Sequence, residues 1–104
     1  MISLIKENRN QLVSLCQSFG VLRLDVFGSA AVEKDFEFER SDLDFLVEFQ
    51  PEQDLGPWLR HYFEFRGALE SLFERPVDLV MPSAIKNACF LRELNRTREM
   101  LYAA

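Results

Sequence analysis

Apolar side chains at Leu12, Leu15, Cys16 and Phe19 fall at the offsets of one helical face, so residues 2–19 are predicted to form a helix that Gly20 stops. From Val21 the spacing changes: Leu22, Leu24 and Val26 alternate with Arg23 and Asp25, the pattern of a half-buried strand ending at Phe27. Gly28-Ser29 follows at once, and Ala30-Ala31 can open a short helix. Residues 33–41, EKDFEFERS, form a charged connection. Leu43 to Phe49 is apolar on both faces in its middle, at Phe45, Leu46 and Val47, which predicts a strand lying centrally in a sheet. Residues 50–57 form a loop, and from Trp58 the series Trp58, Tyr62, Phe65, Leu69, Leu72 marks a long amphipathic helix with Pro76 just beyond it. Val77 to Met81 is a short third strand, and Phe90, Leu94, Thr97, Leu101 give a final helix.

The predicted order, helix-strand-(helix)-strand-helix-strand-helix, is that of an α/β (α+β) domain in which helices flank a small mixed sheet. The 104 residues suit one domain, residues 1–104, and 48% hydrophobic composition with ten phenylalanines supplies a core. A domain of this size buries a smaller fraction of its surface than a larger one, so its site is expected to be shallow or completed by a partner. The net charge of −5 and pI of about 4.8 argue against direct nucleic-acid binding, which depends on phosphate neutralisation by Lys and Arg. A nucleotide substrate remains open, because bound divalent cations supply positive charge. The chain has no apolar stretch long enough for a membrane, no signal-peptide pattern at MISLIKENRNQL, and no CxxC spacing. Cys16 and Cys89 therefore read as reduced core residues of a cytoplasmic protein.

The candidate chemistry lies in Phe27-Gly28-Ser29 and, after twelve intervening residues, Asp42-Leu43-Asp44. Strand side chains alternate, so both carboxylates emerge on one face, with Cα atoms ~6–7 Å apart at a rise of ~3.3 Å per residue. Like charges that close are costly unless a cation sits between them, and Mg²⁺ suits such a pair because it binds through a few carboxylates plus substrate phosphate oxygens. On its own D-x-D also fits a polar strand start. Gly28-Ser29 tips the balance: a glycine between strand and helix lets the backbone approach a phosphate, and the following amides and the Ser29 hydroxyl donate to it. Asp78, in Val77-Asp78-Leu79-Val80, is a charge inside an apolar strand and belongs at an edge, in a pair or on a metal.

At these residues the chain resembles the nucleotidyltransferase superfamily that includes DNA polymerase beta, poly(A) polymerases and aminoglycoside nucleotidyltransferases. Within it the likeness is to the minimal nucleotidyltransferase (MNT) antitoxins found beside HEPN-domain toxins. The matching segments are Leu24 to Ser29, Ser41 to Val47 and Val77 to Val80. The resemblance implies a polymerase beta-like nucleotidyltransferase fold in which Gly28 and Ser29 hold the triphosphate of ATP. It further implies that Asp42, Asp44 and Asp78 bind Mg²⁺, two ions, with Asp78 also helping to deprotonate an attacking hydroxyl. The implied activity is transfer of AMP to a hydroxyl of a protein acceptor, a cognate HEPN toxin, in a hetero-oligomer. Larger members add a helical domain that finishes the site, so a helical partner is the expected completion here. One departure bears on this: the family commonly reads G-S-x-A-R-G, whereas this chain has Val32 in place of the arginine and Glu33 in place of the last glycine. Lys34 or Arg40 could substitute. The alternative reading is a binding module that neutralises its partner by occlusion.

Two further features read as structural. His61, the only histidine, is expected on the surface of its helix, and the aromatic series from Trp58 to Phe73 is expected to be core, with some rings exposed to a partner. Phe36 and Phe38 in the charged connection could contact a partner or close over nucleotide.

Overall fold

The computed structural model describes residues 1–32 and 42–104. Along the chain the elements are α1 (Ser3–Glu7), α2 (Arg9–Ser18), β1 (Val21–Phe27), α3 (Ser29–Val32), β2 (Leu43–Phe49), α4 (Arg60–Phe73), β3 (Val77–Val80), α5 (Ala88–Thr97) and β4 (Glu99–Ala103), with 3-10 turns at Pro57–Leu59 and Pro82–Ala84. The strands form one mixed sheet in the order β3-β2-β1-β4. β1 is antiparallel to both β2 and β4, whereas β2 and β3 run parallel. Lys34, Phe36, Phe38 and Arg40 lie outside the described residues.

β1 and β2 span the residues whose alternation and apolar run predict them, and β2 is central as expected. Three elements depart from the expected pattern. The first predicted helix is two, because Asn8 turns its side chain back to the Leu4 carbonyl (2.8 Å) and competes with the helical ladder. The last predicted helix ends at Thr97, and Leu101 belongs to a fourth strand that the helical spacing hid. Trp58 does not join the core: it is 94% exposed, and with Leu59 it takes positive φ (56° each) where the chain turns sharply into α4.

One face of the sheet carries Leu24, Val26, Leu43, Phe45, Val47, Val77 and Leu79, all buried in the main core with Ile5, Leu12, Cys16, Phe65, Leu69 and Phe73 from α1, α2 and α4. Burial in this core pushes the Cys16 thiol up to about 12, so it is inert, while Cys89 is exposed rather than a core residue. His61 is half-buried rather than superficial: its ring packs on Phe19 and Phe49, and Nε2 meets the Phe19 carbonyl. The opposite sheet face has a smaller cluster, in which Phe27 and Leu46 pack under Leu94 of α5 with Val80 and Ile85 at its margin. Among the described residues no helix is long and apolar enough to cross a membrane.

Candidate functional site

The lesser-covered face brings the aspartates together. Register places Asp78 of β3 directly opposite Asp44 of β2, and Asp44 opposite Phe27 of β1. Cross-strand partners share a face, so Asp78, Asp44 and Phe27 form a row, followed by Val80, Leu46 and Asp25. Asp42 sits just ahead of β2 and is exposed, as is Asp78, while Asp44 is half-buried. Burial pushes the Asp44 carboxyl up to about 6, and the like charges of Asp78 and then Asp42 act in the same direction.

The turn after β1 adjoins this carboxylate. Gly28 has φ of 72°, and a Cβ built there would lie 2.8 Å from Asp44 Oδ2, so any larger residue would be strained and would press on the carboxylate. The Gly28 carbonyl accepts from the amides of Ala31 (3.1 Å) and Val32 (3.3 Å), starting α3, with Ser29 half-buried at its opening. The Gly28 amide is not among the groups left for a ligand, because it donates to the Thr97 hydroxyl (3.0 Å). Val32 is exposed at the end of α3.

α4 fixes β3 and hence Asp78. β3 is an edge strand whose inner side is taken by β2. On its outer side Glu70 accepts from the Val77 amide (3.1 Å), Arg66 donates to the Val77 carbonyl (3.1 Å), and the Tyr62 hydroxyl donates to the Leu79 carbonyl. Residues 62, 66 and 70 recur every fourth position, so one stripe of the helix caps the open edge. Burial raises the Tyr62 hydroxyl's pKa, the Arg66 charge opposes this, and Asp78 adds to it, which places the phenol within the field of that carboxylate.

Asp25 departs from the half-buried strand expected of β1. It is fully buried, receiving Arg23 Nε (2.9 Å) and Arg98 (2.6–2.7 Å). A carboxylate flanked by Leu24 and Val26 signals a need for a partner, but the partner, Arg98, lies 73 positions away.

Among the described residues no group of three or more His, Cys, Asp or Glu side chains is placed to hold a metal ion. Mg²⁺ does not require one, since it binds through one or two carboxylates, water and substrate phosphates. The oxygen donors such an ion would use are Asp44 and Asp78 on facing strands, with burial and the like charges of Asp78 and Asp42 raising Asp44. Among the described residues, two cavities, of about 370 Å³ near Phe49 and Met81 and about 570 Å³ between α2 and α4, are lined by none of these carboxylates.

The nucleotidyltransferase domain family model matches residues 9–102. A Methanocaldococcus jannaschii protein named as a candidate protein adenylyltransferase is 38% identical over 73 residues, covering 70% of this chain and 68% of that one. A solved structure described as a candidate minimal nucleotidyltransferase superposes with a TM-score of 0.71 at 29% identity, covering 94% of this chain and 95% of its own. The fold is shared with the complex of a tri-AMPylated Shewanella oneidensis HEPN toxin and its MNT antitoxin, with TM-score 0.63, 19% identity, and 95% and 72% of the two chains covered.

Proposed function

Because the chain belongs to the nucleotidyltransferase domain family, we propose that it transfers AMP from ATP to a hydroxyl of a protein acceptor, a HEPN-domain toxin, and thereby acts as a cytoplasmic antitoxin. The observation that carries this reading is the row of Asp44 and Asp78, with Asp42 close enough to act on Asp44, beside the Gly28 turn. The carboxylates of Asp42, Asp44 and Asp78 would hold Mg²⁺ together with phosphate oxygens and water. When bound, the metal neutralises charge on the triphosphate and on the departing pyrophosphate. Ser29 and the amides opening α3 bind phosphate oxygens. Asp78, the most accessible carboxylate of the facing pair, accepts the proton of the acceptor hydroxyl as that oxygen bonds to the α-phosphorus. The bond to the β-phosphate oxygen breaks and pyrophosphate leaves. The exposure of Asp42 and Asp78 accords with an acceptor that is itself a folded protein closing over the nucleotide. All 104 residues serve as one such domain.

The Shewanella antitoxin complex, whose toxin partner is AMPylated, and the candidate adenylyltransferase from Methanocaldococcus support this acceptor class. The test is to incubate the protein with the neighbour-encoded HEPN protein, ATP and Mg²⁺ and to record the partner's intact mass. Addition of AMP groups that disappears with Asp42→Asn plus Asp44→Asn is expected. An unchanged mass with the wild-type protein would rule the reading out. Val32, where the family commonly carries arginine, favours one second reading, occlusion of the toxin without chemistry. In that case the double variant still protects cells from the toxin.

A further inference from the structure

We infer that Thr97 is a positioning residue that sets the Gly28-Ser29 turn against Asp44; this rests on the nucleotide-transfer reading above. Thr97 is buried at the C-terminal end of α5, far in sequence from the turn it meets. Its hydroxyl oxygen accepts from the Gly28 amide (3.0 Å) and lies within donating distance of the Glu93 (3.1 Å) and Leu94 (3.4 Å) carbonyls. One hydroxyl therefore joins the last turn of α5 to the first residue of the phosphate turn. The next residue, Arg98, reaches Asp25 of the strand that leads into Gly28, so consecutive side chains fasten the end of α5 to β1 and to the turn after it. Gly28 has no side chain of its own to hold it, and its Cα faces the Asp44 carboxylate closely enough that a methyl group would meet Oδ2 at 2.8 Å. The Gly28 carbonyl is held within the turn by the Ala31 and Val32 amides, and Thr97 anchors its amide to α5. The residue touches neither nucleotide nor metal in this role. It fixes the distance between the group that binds phosphate and the group that binds the metal.

The experiment compares wild type, Thr97→Val, which keeps the shape and loses the hydroxyl, and Thr97→Ser, which restores it. Steady-state transfer at varied ATP is measured together with amide hydrogen exchange at Gly28. With the valine variant, KM for ATP is expected to rise about tenfold or more, kcat to fall by less, and Gly28 exchange to accelerate at least tenfold. The serine variant is expected to bring all three back towards wild type. A valine variant with unchanged KM, or a serine variant no better than valine, overturns the inference. If the wild-type protein transfers nothing, the functional reading fails by itself. Gly28 exchange then decides the anchor alone: unaltered exchange in the valine variant overturns it, and faster exchange restored by serine upholds it.

Discussion

The two faces of the sheet are built from the same strands, yet they differ in what covers them. Under α1, α2 and α4 lie Leu24, Val26, Phe45, Val47 and Leu79, each buried among apolar neighbours. On the other face Asp25, Asp44 and Asp78 alternate with Phe27, Leu46 and Val80, and among the described residues α5 is the longer helix that joins their cluster. The first face gains stability from every residue it buries. The second gives up part of that gain to hold like charges near one another, and it stays in place through discrete polar links: Thr97 to Gly28, Arg98 to Asp25, and the α4 stripe to β3. Stability and chemistry are thus divided between faces, and substitutions should separate them.

The largest effect belongs to the apolar face. Phe45→Ala, which removes a fully buried ring stacked on Phe73 (5.8 Å), should cost about 3–5 kcal/mol in denaturant unfolding. A loss under ~1 kcal/mol would mean that this face is not the main core. Smaller is the effect of Arg98→Met, which leaves Asp25 buried with Arg23 as its remaining ionic partner. Broken buried pairs cost ~3–5 kcal/mol, but Arg98 keeps 28% exposure, so a loss of about 1–3 kcal/mol is expected, and no measurable loss would show the link to be dispensable.

Least in size, and opposite in sign, is Asp44→Asn. The folded carboxyl sits at about 6, above its unfolded value, so the contribution of its protonated form is present at acid pH and lost as pH rises through about 6. Without metal the asparagine variant should therefore match wild type near pH 4 and exceed it above pH 6. The gain is on the order of 1 kcal/mol, discounted for partial exposure, or a Tm rise of about 4–8 °C. Mg²⁺ should stabilise wild type more than the variant. Melting curves that coincide across this pH range would remove the electrostatic basis of the site.

Legibility from sequence followed the range of the forces involved. β1, β2 and the Gly28 turn depend on local alternation and on one glycine, and they stand where the pattern puts them. Asp42 and Asp44 are expected as a pair from alternation; β2 begins only at Leu43, and Asp42 just ahead of it lies close enough to act on Asp44. Asp78 needed the parallel register of β3 with β2, which no local pattern encodes. Thr97 looked like one more point on a helical stripe, and its bond to Gly28 spans 69 positions. Leu101 continued the same stripe, yet pairing of residues 99–103 with β1 prevailed over helical spacing.

Label incorporation from α-labelled ATP into the HEPN partner, with the melting temperature of each protein recorded alongside, addresses the carboxylate face most directly. Asp42→Asn, Asp44→Asn and Asp78→Asn should each lower incorporation by about 100-fold or more while remaining folded, as expected for groups that act on the reacting centre. Incorporation within a few-fold of wild type in all three folded variants would contradict the assignment of this face to nucleotide transfer.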